Sequence, residues 1–230
     1  MPTALITGAN SGIGYALAQI LIKESYQVIA ADIQIGAAIK SLGCEAIQLD
    51  IASPNSISSL AHSIGSQPID LLLNVAGVMV PHDADTLETV DFAKFQSTFA
   101  VNTFGPLLLT QALLPNIISS QQPKIAVMSS RVGSMGDNSS GGAYSYRASK
   151  AAVNSLFKSM AVDLKEKDVP VILLHPGIVK TRLDPRNKEG AVPGAVEPEA
   201  AATELWQVLE SKGLESTGMF FHRSGEELPW

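Results

Sequence analysis

The sequence predicts an α/β protein built on a doubly wound parallel sheet, and three observations carry that prediction. Seven short β-rich runs alternate with segments of helical periodicity. Most of the runs are apolar at consecutive rather than alternate positions, the pattern of strands covered by helices on both faces. At 230 residues the chain is long enough to bury one such core and short for two, so a single domain over residues 1–230 is expected.

The strand candidates in chain order are Ala4–Thr7, Val28–Asp32, Ala46–Leu49, Asp70–Val75, Ile125–Ser129, Val171–His175 and Met219–His222. The apolar stretch from Leu71 to Val80 is broken by Asn74 and Gly77 and is too short for a membrane span, so it reads as a buried strand. Ile13, Leu17, Ile20 and Leu21 mark a covering helix over Ile13–Ile22, and Pro198 stands at a first helical position ahead of Ala200–Leu209. A third helical run passes from Tyr146 through Ala152, Leu156 and Met160. Two stretches lack any period: Gly133–Gly142, rich in Gly, Ser and Asn, and Asp184–Gly194. Each follows a strand at its carboxyl end, where open α/β sheets bind ligands, and the second is the expected lid. Its charges, Asp184, Arg186, Lys188 and Glu189, fit solvent exposure and substrate recognition equally.

Apolar residues make up 46% and charged residues 17%, which places the chain among soluble globular proteins. A net charge of −6 without a Lys/Arg block argues against nucleic acid or an anionic membrane as partner. Cys44 is the only cysteine, so neither an internal disulfide nor a cysteine-based metal site is available. With no signal-type segment before Thr3, a reducing, cytoplasmic setting is expected.

The first strand leads into Gly8-Ala9-Asn10-Ser11-Gly12-Ile13-Gly14 and then a helix, where backbone N–H groups and the positive helix end suit a pyrophosphate. The glycine spacing departs from GxGxxG. Asp32 ends the second strand eighteen residues after Gly14, placed to accept hydrogen bonds from adenosine ribose hydroxyls and to repel a 2′-phosphate. No Arg or Lys occurs in the turn or at Ile33 and Gln34, so NAD(H) is preferred over NADP(H). Asp50 follows the third strand, and Asn74-Val75-Ala76-Gly77 closes the fourth with small residues on which a flat ring packs.

Tyr146 and Lys150, four apart, share one face of a helix. An ammonium at ~4 Å in an effective dielectric of ~20 is worth roughly 4 kcal/mol, enough to bring a phenol toward neutral pH. A tyrosine so tuned serves as the acid or base that hydride transfer to a carbonyl or from an alcohol requires. Ser130, sixteen residues earlier, is placed to orient the reacting oxygen. A hydrolase built on Ser130 and His175 is the rival, but no GxSxG elbow is present and His175 reads as strand-end scaffold.

TGANSGIG at Thr7–Gly14, NVAG at Asn74–Gly77, YRASK at Tyr146–Lys150 and HPGIVKT at His175–Thr181 together resemble the short-chain dehydrogenase/reductase family. The resemblance implies a Rossmann fold with a seven-stranded parallel sheet and a catalytic set of Asn102, Ser130, Tyr146 and Lys150. Asn102 would hold a water in a proton relay through Lys150, which would also bond the nicotinamide ribose. It further implies cofactor contacts from Gly8, Asn10, Ser11, Gly12, Ile13, Gly14, Asp32, Asp50, Ile51, Asn74, Ala76, Gly77, Tyr146, Lys150, Pro176, Gly177, Ile178 and Thr181. Ser129–Ser134, Asp137–Asn154 and the final GEELPW resemble a narrower group, the C-factor-like and sniffer-like carbonyl reductases, whose members often use NADP(H); the charge at Asp32 argues the other way. Val75 replaces the family's usual Asn and leaves one backbone-supporting hydrogen bond in doubt.

A carbonyl or alcohol oxidoreductase acting on a small molecule is thus the leading expectation, paired by family habit into a homodimer or homotetramer through the helices after Asn102 and after Tyr146. The alternative is an NAD(H)-binding signalling or regulatory protein with little turnover. An epimerase of the extended family is disfavoured, because the chain lacks both that group's TGxxGxxG turn and its larger substrate domain.

Overall fold

A computed structural model describes residues 1–184, 186 and 192–230. Seven strands form one parallel sheet: β1 (Thr3–Thr7), β2 (Gln27–Asp32), β3 (Glu45–Gln48), β4 (Leu71–Asn74), β5 (Lys124–Met128), β6 (Val171–His175) and β7 (Phe220–His222). Their order across the sheet is β3-β2-β1-β4-β5-β6-β7, so the winding reverses between β1 and β4 and opens a crevice at their carboxyl ends. All seven expected strands are present, each within a residue or two of its expected limits.

The consecutive apolar residues of each strand divide between two faces. Leu5, Ile29, Leu72, Val127 and Leu173 pack with α3 (Pro54–Ile64), α5 (Gly105–Ala112), α6 (Leu114–Ile118) and α7 (Tyr144–Leu164). Ala4, Ile6, Val28, Leu71, Leu73 and Leu174 pack with α1 (Gly12–Lys23), α2 (Ala37–Ser41) and α8 (Pro198–Ser211). That alternation within an unbroken apolar run is what a strand needs when neither of its faces meets water. α4 (Phe92–Phe99) lies against α7, and a π-helical turn at Ala100–Phe104 joins it to α5.

The Leu71–Val80 run is not one long strand. The ladder stops at Asn74, because the Thr7 hydroxyl captures the N–H groups of Val75 and Ala76 at 3.0 and 3.1 Å and draws the chain off the sheet into the crevice wall. Of the lid expected over Asp184–Gly194, residues 185 and 187–191 lie outside the described residues.

Candidate active site

A cleft of about 870 Å³ occupies the crevice at the strand carboxyl ends. Its inner end is backbone. Gly8 has φ +73, and a Cβ there would stand 3.0 Å from the Ala76 Cα; a Cβ on Gly14 would overlap the Gly8 carbonyl. Only glycine allows the β1–α1 turn and the β4 end to approach so closely. No side chain caps α1 and no acid sits in its first turn, so its orphan N–H groups face the cleft at Gly12, Ile13 and Gly14. This cradle fits the pyrophosphate of a dinucleotide.

Most expected cofactor residues line this cleft: Gly8, Ser11, Gly12, Ile13, Gly14, Asp32, Asp50, Ile51, Ala76, Gly77, Pro176, Gly177, Ile178 and Thr181, with Tyr146 and Lys150. The Asp32 carboxylate accepts N–H bonds from Asn10 at 3.0 Å and Gln34 at 3.1 Å, which hold it at the crevice edge. Asn10 and Asn74 serve elsewhere. The Asn10 amide oxygen accepts from the Ile39 N–H and braces α2, while Asn74 is buried against Thr110, with its Oδ1 unpartnered. Sequence alone does not separate a side chain facing the ligand from one facing the covering helix.

At the outer end Ser130, Tyr146 and Lys150 meet on one wall, all three buried. The expected lowering of the Tyr146 pKa is not found: burial pushes it up to about 12, Asp184 adds to the rise, and a hydrogen bond with Ser130 pulls the other way. Burial likewise pushes Lys150 down to about 8. The reason is geometric, since the Lys150 ammonium donates to the Met128 carbonyl at 2.8 Å and stands 5.8 Å from the Tyr146 ring centroid. Desolvation therefore outweighs attraction between the pair.

Asn102 sits in the π-helical turn, buried behind the wall. Its Oδ1 accepts from the Val78 N–H and its Nδ2 donates to the Val78 carbonyl, both at 2.9 Å, and to Ser149 Oγ at 3.1 Å. A Cβ on Gly77 would lie 3.3 Å from Asn102 Oδ1 and 3.8 Å from Lys150 Nζ, so the two side chains meet across that glycine. His175 lines the cleft with its pKa pushed down to about 3 by burial, a neutral scaffold imidazole as expected.

Sequence reasoning missed several residues. Thr7 supplies the backbone support that Val75 had put in doubt, and its position inside the glycine motif was the available signal. His82 and Asp184 face each other at 3.5 Å on the cleft wall. Asp85 is fully buried beside the start of α7, and no sequence spacing pointed to it.

The profile of the family described as short chain dehydrogenase matches residues 2–191. The chain is 35% identical to 1-hydroxy-2-glutathionyl-2-methyl-3-butene dehydrogenase of Rhodococcus sp. (strain AD45), over the full length of both. It is 37% identical to the C-signal of Myxococcus xanthus, covering 75% of this chain and 99% of that one. A carbonyl reductase from chicken fatty liver, solved with NADPH bound, superposes with a TM-score of 0.89 at 28% identity, covering 100% of this chain and 99% of the other.

Proposed function

The chain belongs to the short-chain dehydrogenase/reductase family, and from that premise we propose that it interconverts a carbonyl and an alcohol with Tyr146 as its acid/base. One observation carries the reading: Ser130, Tyr146 and Lys150 share the wall of a cleft whose other end is a helix N-terminus with free N–H groups. A nicotinamide dinucleotide bound there supplies or removes the hydride.

Tyr146, held protonated by its burial, gives its phenolic proton to the carbonyl oxygen in the reductive direction. Ser130 donates a hydrogen bond to the same oxygen and fixes its distance from the phenol. Lys150, brought down to about 8, returns a proton toward the phenolate, and a water held at Asn102 refills it across Gly77. In the oxidative direction each transfer reverses.

Asp32 supports NAD(H) over NADP(H). Its carboxylate lines the cleft at the end of β2 and would repel a 2′-phosphate, and the neighbouring Ile33 and Gln34 carry no positive charge. The chicken carbonyl reductase has NADPH, so the charge of this position is the point at issue. Fluorescence titration with NADH and NADPH in parallel, then a panel of aldehydes, ketones and alcohols on the same sample, tests both claims. Tighter NADPH binding overturns the cofactor assignment, and no turnover across the panel overturns the enzyme. An alcohol bearing a glutathionyl group belongs in that panel, because the Rhodococcus relative is named for one and Arg182 lines the cleft here.

The likeness to C-signal favours a second reading, an NAD(H)-binding signalling protein with little turnover, which the same panel separates from the first. Exposed Phe104 beside α5 and Val162 on α7 support a homodimer or homotetramer through these helices. Light scattering at micromolar concentration checks it, and a monomer would sink the assembly. A cytoplasmic site of action fits the single, free Cys44; no described helix is long and apolar enough to cross a membrane.

A further inference from the structure

The helix that carries Tyr146 begins without a cap of its own. Ala143 precedes it in a left-handed conformation, φ +49 and ψ 47, with no side chain to offer, and no acid follows in the first turn. Yet the N–H groups of its first three residues are all satisfied, and by one residue from another part of the chain. The Tyr144 N–H donates to the Asp85 carbonyl at 3.3 Å. The Ser145 N–H donates to Asp85 Oδ1 at 2.9 Å, and the Tyr146 N–H donates to Oδ2 at 3.3 Å. The Ser145 hydroxyl donates to Oδ2 at 2.9 Å and meets Thr98 Oγ1 of α4 at 3.4 Å.

Asp85 is 0% exposed, and a carboxylate is buried at a large desolvation cost unless donors surround it. Here the donors are the start of α7 and its positive dipole end. A serine or aspartate at position 143 would cap the helix locally without burying a charge so deeply. What the distant cap adds is a connection. Asp85 ends the 3-10 turn His82–Ala84 and precedes the Thr86–Val90 turn, in the β4–α4 segment whose Val78, Met79 and His82 line the same cleft as Tyr146.

We infer that Asp85 is a positioning residue: it seats the first turn of α7 against the β4–α4 segment and so sets where the Tyr146 phenol stands in the cleft. The inference rests on the proposed role of Tyr146, but its test does not rest on turnover alone.

The full-length protein is labelled with 13C at the tyrosine Cζ, and the Tyr146 signal is assigned by its loss in Tyr146→Phe. In Asp85→Ala that signal shifts and its titration midpoint falls toward the ordinary phenol value as water reaches the loosened turn, while the Tyr15 and Tyr26 signals stay. NADH binding is retained, and kcat with 9,10-phenanthrenequinone falls about 100-fold, the scale of a misplaced acid. Asp85→Asn recovers much of both, since its amide still pairs with the Ser145 N–H and hydroxyl. Lys124→Met, which frees the carbonyls of Leu209 and Lys212 at the amino end of β5, away from the first turn of α7, costs stability without moving the Tyr146 signal.

A Tyr146 signal in Asp85→Ala that titrates as in the wild type overturns the inference, as does a kcat loss that Lys124→Met reproduces. Should Asp85→Ala fail to fold, Asp85→Ser, whose single hydroxyl replaces only one of the two carboxylate oxygens, makes the same comparison, and an unmoved Tyr146 signal there overturns it equally. A wild-type protein that reduces no carbonyl defeats the enzyme reading while the signal still reports whether Asp85 seats Tyr146.

Discussion

The two ends of the cleft are made of different material. The inner end is backbone: glycines at 8 and 14 bring main chain against main chain, and free N–H groups form its surface. The outer end is side chain: beside Ser130, the residues Tyr146, Lys150 and Asn102 are held by hydrogen bonds from residues 22 to 61 positions away, such as Met128 for Lys150 and Asp85 for Tyr146. The first kind of site depends on local chain geometry and tolerates no added atom. The second depends on packing and tolerates atoms but not loss of a partner.

Separate variants pull these ends apart. The largest effect is expected from Tyr146→Phe, which removes the proposed proton carrier and lowers kcat by about 10³-fold. NADH titration should be unchanged, because nothing at the glycine turn is touched; loss of cofactor binding would show that the ends are not separable. Gly14→Ala is the converse, costing about 3 kcal/mol in chemical unfolding through overlap with the Gly8 carbonyl. It should abolish NADH binding while the Tyr146 signal in the folded fraction keeps its position.

Lys150→Met sharpens the comparison through pH. Lys150 has a folded value of about 8 against an ordinary 10.5, so its contribution to stability is fully present above the ordinary value and lost as pH falls through about 8. At pH 7 the buried ammonium therefore costs stability, on the order of 2 kcal/mol after the lost bond to Met128 is allowed for. Lys150→Met should be the more stable protein at pH 7 and lose that advantage by pH 10, with turnover lost throughout. Urea unfolding at the two pH values checks it, and a gap that widens with pH would contradict the sign. The smallest effect belongs to Thr7→Val, which leaves the N–H groups of Val75 and Ala76 without their acceptor. About 1 kcal/mol of stability should go, with a modest weakening of NADH binding at the β4 end.

This division also explains what could be read from residues alone. The seven strands and the glycine cradle are local patterns of apolar runs and turn chemistry, and the sequence carries them openly, whereas the place where the winding reverses is set by the strand order across the sheet. Of the proposed catalytic side chains, Tyr146 and Lys150 were found by their spacing along one helix, Ser130 by its place after the fifth strand, and Asn102 through the family resemblance. Their electrostatics were not: four residues of separation put Lys150 near Tyr146 but say nothing of the Met128 carbonyl that draws the ammonium aside, nor of the burial that sends the phenol upward. Asp85, sixty residues from Ser145, is invisible to any periodicity. Asn10 and Asn74 stand beside the expected ligand in the chain, yet their side chains turn to α2 and to Thr110.

The π-helical turn at Ala100–Phe104 gives the outer end a particular fragility of register. A π turn is an α-helix carrying one residue too many, commonly found at functional sites. Removing a single residue between 100 and 104 would let α4 run into α5 as ordinary helix with both keeping their faces, while the residues inside the turn shift around the axis by as much as about 100°. The Asn102 amide would then swing out of reach of Val78, and the cleft wall would lose its anchor with every strand still in place. For this fold, a one-codon deletion in that turn is a change of function written in the length of the chain rather than in the identity of any residue.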